Sequence, residues 1–147
     1  SLINTSWNPD PFPDRGLHIV NLALALAPAD PKLLTDTAAR FNHPTYFLSN
    51  GAHRGSLPME QSYLELQAKS TVLSAVLPTE EKGVIQVRFY ENAGRNDPIV
   101  LRFAAAPVSA VSEDLNGVEQ PSDVCIRGKE ICVTAKAFSL GQLRITF

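Results

Sequence analysis

Apolar and polar residues alternate with a period of two over much of this chain. A β-strand imposes that period, because its successive side chains point to opposite faces. The cleanest run is Val84 to Tyr90, where Ile85, Val87 and Phe89 share one face and Gln86 and Arg88 the other. Ile99, Leu101 and Phe103 resume the pattern after the turn-rich Asn92-Ala93-Gly94-Arg95-Asn96-Asp97. The two runs are therefore expected to pair as a hairpin. Leu17 to Ala27 also alternates, with Val20, Leu22, Leu24 and Leu26 on one face, and predicts a strand. Shorter strands are expected over Thr45–Leu48, Tyr63–Leu66, Thr71–Leu77, Val108–Val111 and Gln142–Phe147.

One stretch changes period. Leu33, Leu34, Thr37, Ala38 and Phe41 recur at helical spacing. Asp30-Pro31 ahead of them combines a capping side chain with a residue suited to the first turn. Asn42 and Pro44 close the element, so a single short helix is expected near residues 31–41. Before Leu17 the run Asn8-Pro9-Asp10-Pro11-Phe12-Pro13-Asp14 reads as an extended loop. Many short strands divided by turns, with no βαβ rhythm, give an all-β class and a β-sandwich.

Cys125 and Cys132 stand in Val124-Cys125-Ile126 and Ile131-Cys132-Val133, on either side of Arg127-Gly128-Lys129-Glu130. This reads as a hairpin with the two cysteines facing each other across it. A disulfide there depends on register, and the alternative is a pair of small apolar side chains. With one sequon, Asn4-Thr5-Ser6, this leaves the compartment open.

Composition narrows the function. The net charge is -2, which gives no basic stripe for nucleic acid. No apolar run approaches the roughly 20 residues that a bilayer span requires. His18, His43 and His53 lie 25 and 10 residues apart without a ligand motif, so no metal is expected in this chain. Glu80-Glu81 precedes Lys82-Gly83, and Glu113-Asp114 follows a strand; both pairs read as loop acids rather than catalytic ones. Glu91, near Arg88 and Arg95, suggests an ion pair. No catalytic residue is therefore expected. For a sugar, aromatic faces and planar hydrogen-bonding groups in loops are the natural partners, which singles out Trp7, Tyr46, His53 and Arg54.

Several segments, read in order, resemble the C-terminal region of family 38 glycoside hydrolases, the α-mannosidases. Asp14-Arg15-Gly16-Leu17-His18 is similar to an Asp-x-Gly-x-His stretch, and Ala25-Leu26-Ala27-Pro28 to the apolar run after it. Phe41-Asn42-His43-Pro44 and Gly55-Ser56-Leu57-Pro58 resemble an Asn-x-Pro and a Gly-x-Leu-Pro segment. Val84 to Arg95 resembles a final-sandwich hairpin carrying Arg-x-Tyr-Glu-x-x-Gly. Val111 to Glu119 and Lys136 to Ile145 complete the series. Ala23 and Ala27 depart from it, standing where the family often has an aromatic residue and a histidine.

The resemblance implies an architecture: residues 1–69 as the end of a galactose-mutarotase-like supersandwich, and 70–147 as a small terminal sandwich. It also implies a parent enzyme that hydrolyses α-mannosides with retention, its zinc and two carboxylates held in a catalytic barrel upstream. The partners it implies are that barrel and mannose-containing glycans, with no nucleic acid and no membrane. The competing expectations are a stand-alone carbohydrate-binding sandwich and a purely structural interaction domain.

Overall fold

Period two governs the second half of the molecule. The computed structural model describes residues 15–52 and 54–147. Among them α1 (Pro31–Asn42) comes first, then β1 (Leu64–Gln67), β2 (Thr71–Pro78), β3 (Val84–Glu91), β4 (Asp97–Phe103), β5 (Ser109–Glu113), β6 (Cys125–Arg127), β7 (Glu130–Ala135) and β8 (Leu140–Thr146). The strands form two antiparallel sheets, ordered β1-β4-β7-β6 and β2-β3-β8-β5. The all-β sandwich with one short helix is thus the fold.

The inner faces are those the alternation marks. Val87, Phe89, Leu143 and Ile145 from one sheet meet Ile99, Leu101, Phe103, Ile131, Val133 and Ala135 from the other, all buried. Phe147 closes one end, its ring edge-on to Phe103 with centroids 5.3 Å apart. Burial of these side chains, worth about 1.5–3 kcal/mol for each large one, is what holds the layers together.

The expected hairpin between the runs at Val84 and Ile99 does not form. β3 pairs with β2 and β8, while β4 pairs with β1 and β7, so residues 92–96 carry the chain from one sheet to the other. The cysteine hairpin does form, and its register sets Cys125 opposite Cys132. In β2 the pairing slips between Leu73 and Ala75, a bulge that kinks this strand on the outside of its sheet.

The strands expected over Leu17–Ala27 and Thr45–Leu48 are absent. Leu17, Ile19, Val20, Leu22, Leu24 and Leu26 are all exposed and make no ladder. Alternation fits a chain to lie half-buried, but a strand also needs a neighbouring strand to satisfy its backbone groups. The helix forms as expected: the Asp30 carboxylate accepts the Leu33 N–H at 2.9 Å and Pro31 opens the first turn. None of its residues is buried. It is tied to the sandwich by the Asn92 side-chain amide, which donates to Thr35 Oγ1 at 2.9 Å. The sandwich begins at Leu64, in β1.

Candidate functional site

The described acids that the sandwich buries are engaged by groups of their own chain. At one end, where the interior meets the crossings between sheets, Asp97 Oδ2 accepts the backbone N–H of Ser70 at 2.8 Å and both the N–H and hydroxyl of Thr71 at 2.9 Å. It also accepts the Lys69 N–H at 3.0 Å. Burial works against the charge on Asp97, yet these donors outweigh it and hold its carboxyl below the usual carboxylate range.

Glu91, expected in an ion pair, instead organises the crossing that follows it. Its carboxylate accepts the N–H of Ala93 and Gly94 at 2.8 Å and of Phe138 at 3.0 Å. Burial opposes the charge here too. The Ser70 hydroxyl and the N–H groups of Phe138, Ala93 and Gly94 override it and lower the pKa from 4.5 to about 2. The Ser70 hydroxyl lies close enough to favour that charge but stays outside hydrogen-bond geometry. Gly94 has φ 74°, and the Phe138 ring occupies the space a Cβ would need. The Glu-x-x-Gly spacing thus has a physical meaning: an acceptor and a left-handed turn residue building one loop.

On the outer face of the β2-β3-β8-β5 sheet, Glu113 is buried rather than a loop acid. It accepts from the amides of Gln86 at 3.1 Å and Gln142 at 3.2 Å. Arg88 donates to Gln142 Oε1 at 2.6 Å, and Arg144 pairs with Glu81. Asp114 does cap its turn, accepting the N–H of Asn116 and Val118 at 2.9 Å. Glu80 and Glu81 are exposed on their turn.

The outer face of the β1-β4-β7-β6 sheet carries two cross-strand rows. One reads Glu65, Arg102, Glu130, Arg127, so its charges alternate; the next reads Gln67, Val100, Cys132, Cys125. Arg102 donates to Glu130 Oε1 at 2.7 Å. That hydrogen bond, then the charges of Glu130 and Glu65, raise the Arg102 pKa. The Arg127 pKa is raised first by a hydrogen bond to Cys125, then by the charges of Cys125 and Cys132. Both cysteines are free thiols, Cys125 exposed and Cys132 half-buried.

A third feature is an apolar groove of about 290 Å³ between the sheets, lined by Tyr63, Val76, Ile85, Phe103 and Phe147 among others. The residues singled out for a sugar lie elsewhere. Trp7 and His53 fall outside the described residues. Tyr46 is 92% exposed, and Arg54 is exposed on the same strand-free stretch. Glu91, marked in the sequence only for an ion pair, and Asp97, not marked at all, are the buried carboxylates that order the crossings. The signal was their position, since each ends or begins an alternating run with inward parity.

Among the described residues no three of His, Cys, Asp and Glu come together as a metal-binding group. No described helix is long and apolar enough to cross a membrane. Fold and sites together define an antiparallel β-sandwich whose internal polar groups serve its own loops. Comparison with known protein families, with curated proteins and with solved structures finds no match for the chain.

Proposed function

We propose that this chain is a non-catalytic β module of a longer, α-mannosidase-like protein, and that it frames and buttresses a catalytic barrel encoded upstream. One observation carries the reading. Leu17, Ile19, Val20, Leu22, Leu24 and Leu26 leave their side chains uncovered, while the sandwich packs a core of its own. Six exposed aliphatic residues in ten positions form the kind of patch that another protein surface covers. The resemblance of its ordered segments to family 38 makes a barrel the surface we expect to cover them, and the engaged carboxylates agree with a module that leaves chemistry to its neighbour. Mannose-containing glycans would then reach this module only along the barrel's rim.

Two measurements test this. The chain alone, given an aryl α-mannoside and zinc, is expected to show no turnover; steady hydrolysis overturns the reading. Hydrogen exchange over residues 17–27 is expected to be fast in this chain and to slow at least tenfold when the coding sequence upstream of Ser1 is included. Equal exchange in both also overturns it.

A second reading, a stand-alone carbohydrate-binding sandwich, draws on the half-buried planar side chains Gln86, Arg88 and Arg144 on one outer face. Calorimetric titration with mannose oligosaccharides separates the two, because only this reading gives binding by the isolated chain.

A further inference from the structure

We propose that Cys125 and Cys132 form a reversible dithiol–disulfide site on the outer face of the sandwich, that its oxidant is a small disulfide of the glutathione class, and that Arg127 assists it. The site lies apart from the surface invoked above and does not depend on that reading.

Register supplies the first argument. The two cysteines are directly opposed in an antiparallel hairpin. Opposed residues hold their Cβ atoms about 4.5–5.5 Å apart, and a disulfide needs about 3.5–4.5 Å. Closure therefore asks for an approach of roughly 1 Å. β6 can give that much, because it is three residues long and is paired only with β7. Ile126 and Ile131, the neighbours that point into the core, keep their positions when the outward side chains join.

Access and charge supply the second. Cys125 is exposed and Cys132 half-buried, which orders the steps. Arg127 is two residues from Cys125 at the end of the charged row, so its cation shares the outer face with both sulfurs. The thiolate is the nucleophile in such an exchange, and a cation on this face meets the anionic end of an incoming glutathione. Glu130, opposite Arg127, accepts from Arg102 at 2.7 Å.

The reaction balances as follows. The Cys125 thiolate attacks one sulfur of oxidised glutathione, whose S–S bond breaks; a mixed disulfide forms and one glutathione thiolate leaves. The Cys132 thiolate then attacks the Cys125 sulfur, forming the cross-strand bond and displacing the second glutathione thiolate. Two protein thiols are oxidised to one disulfide, one glutathione disulfide is reduced to two thiols, and the two protons released by the cysteines go to the two glutathiones. The product staples β6 to β7.

The test uses the whole folded chain, equilibrated with oxidised glutathione, alkylated with iodoacetamide and weighed intact. The expected result is a chain lighter by two hydrogens that takes up no alkyl group. Cys132→Ser should instead stop at the mixed disulfide, one glutathione heavier. Arg127→Gln should slow closure several-fold, and an unchanged rate removes Arg127 from the site. Two free thiols after oxidation, two stably attached glutathiones, or closure in urea within roughly tenfold of the folded chain would each overturn the proposal.

Discussion

Asp97, the first residue of β4, and Thr71, the first residue of β2, join the two sheets: one carboxylate oxygen accepts both the N–H and the hydroxyl of Thr71 at 2.9 Å. The same oxygen holds the Ser70 and Lys69 N–H groups, so the passage from β1 to β2 is wrapped around a single acceptor. Asp97→Ala leaves these donors without a partner, three of them buried, and is expected to cost about 3 kcal/mol or more in urea unfolding. Thr71→Val, which removes only the hydroxyl, should cost about 1 kcal/mol. Equal losses for the two variants would contradict this account.

Glu91 makes stability depend on acidity. Its pKa falls from 4.5 when unfolded to about 2 when folded, so its contribution is complete above 4.5 and disappears as pH drops through about 2. Asp97 is shifted in the same direction. The thermal midpoint should decline between those limits. Glu91→Gln should start lower at neutral pH and decline less, because its amide cannot accept at both oxygens. Parallel curves for variant and parent would rule out the linkage.

Gly141 lies opposite Phe89 across β8 and β3, with the Phe89 ring in the space a Cβ would occupy. Gly141→Ala must push that ring into the packed interior, at an expected cost of about 1–3 kcal/mol. Adding Phe89→Leu should restore part of the loss in a double-mutant cycle, whereas simple additivity would show that the two positions do not meet.

The helix should be separable from the sandwich. Asp30→Ala removes the cap on Leu33, worth about 1 kcal/mol of helix stability. Because α1 buries none of its residues, the far-UV helical signal is expected to fall while the sandwich keeps its midpoint. A midpoint that drops with the helix would indicate coupling beyond the contact between Asn92 and Thr35.

Sequence patterning reached the sandwich because alternation reports which side chains face inward, as with Val87, Phe89, Leu143 and Ile145. It does not report which strand lies alongside. Ile99 was assigned to a hairpin with β3 for that reason, although residues 92–96 cross between layers. Leu17 to Leu26 shows the converse: an alternating run with no strand beside it remains unladdered. The helix was legible from Asp30 and Pro31 because capping is local. Glu91 was not, since three of its donors follow within four residues but Phe138 arrives from far along the chain. Cys125 and Cys132 were legible as a facing pair, while Arg127 beside them required the register.

The slip between Leu73 and Ala75 has a further consequence. β2 is the longest strand bordering either sheet, eight residues with one side unpaired, and it would otherwise offer a template on which a second molecule could nucleate a fibril. Its kink and the terminal Pro78 break the row of free backbone groups, so the sandwich should resist growing by strand addition.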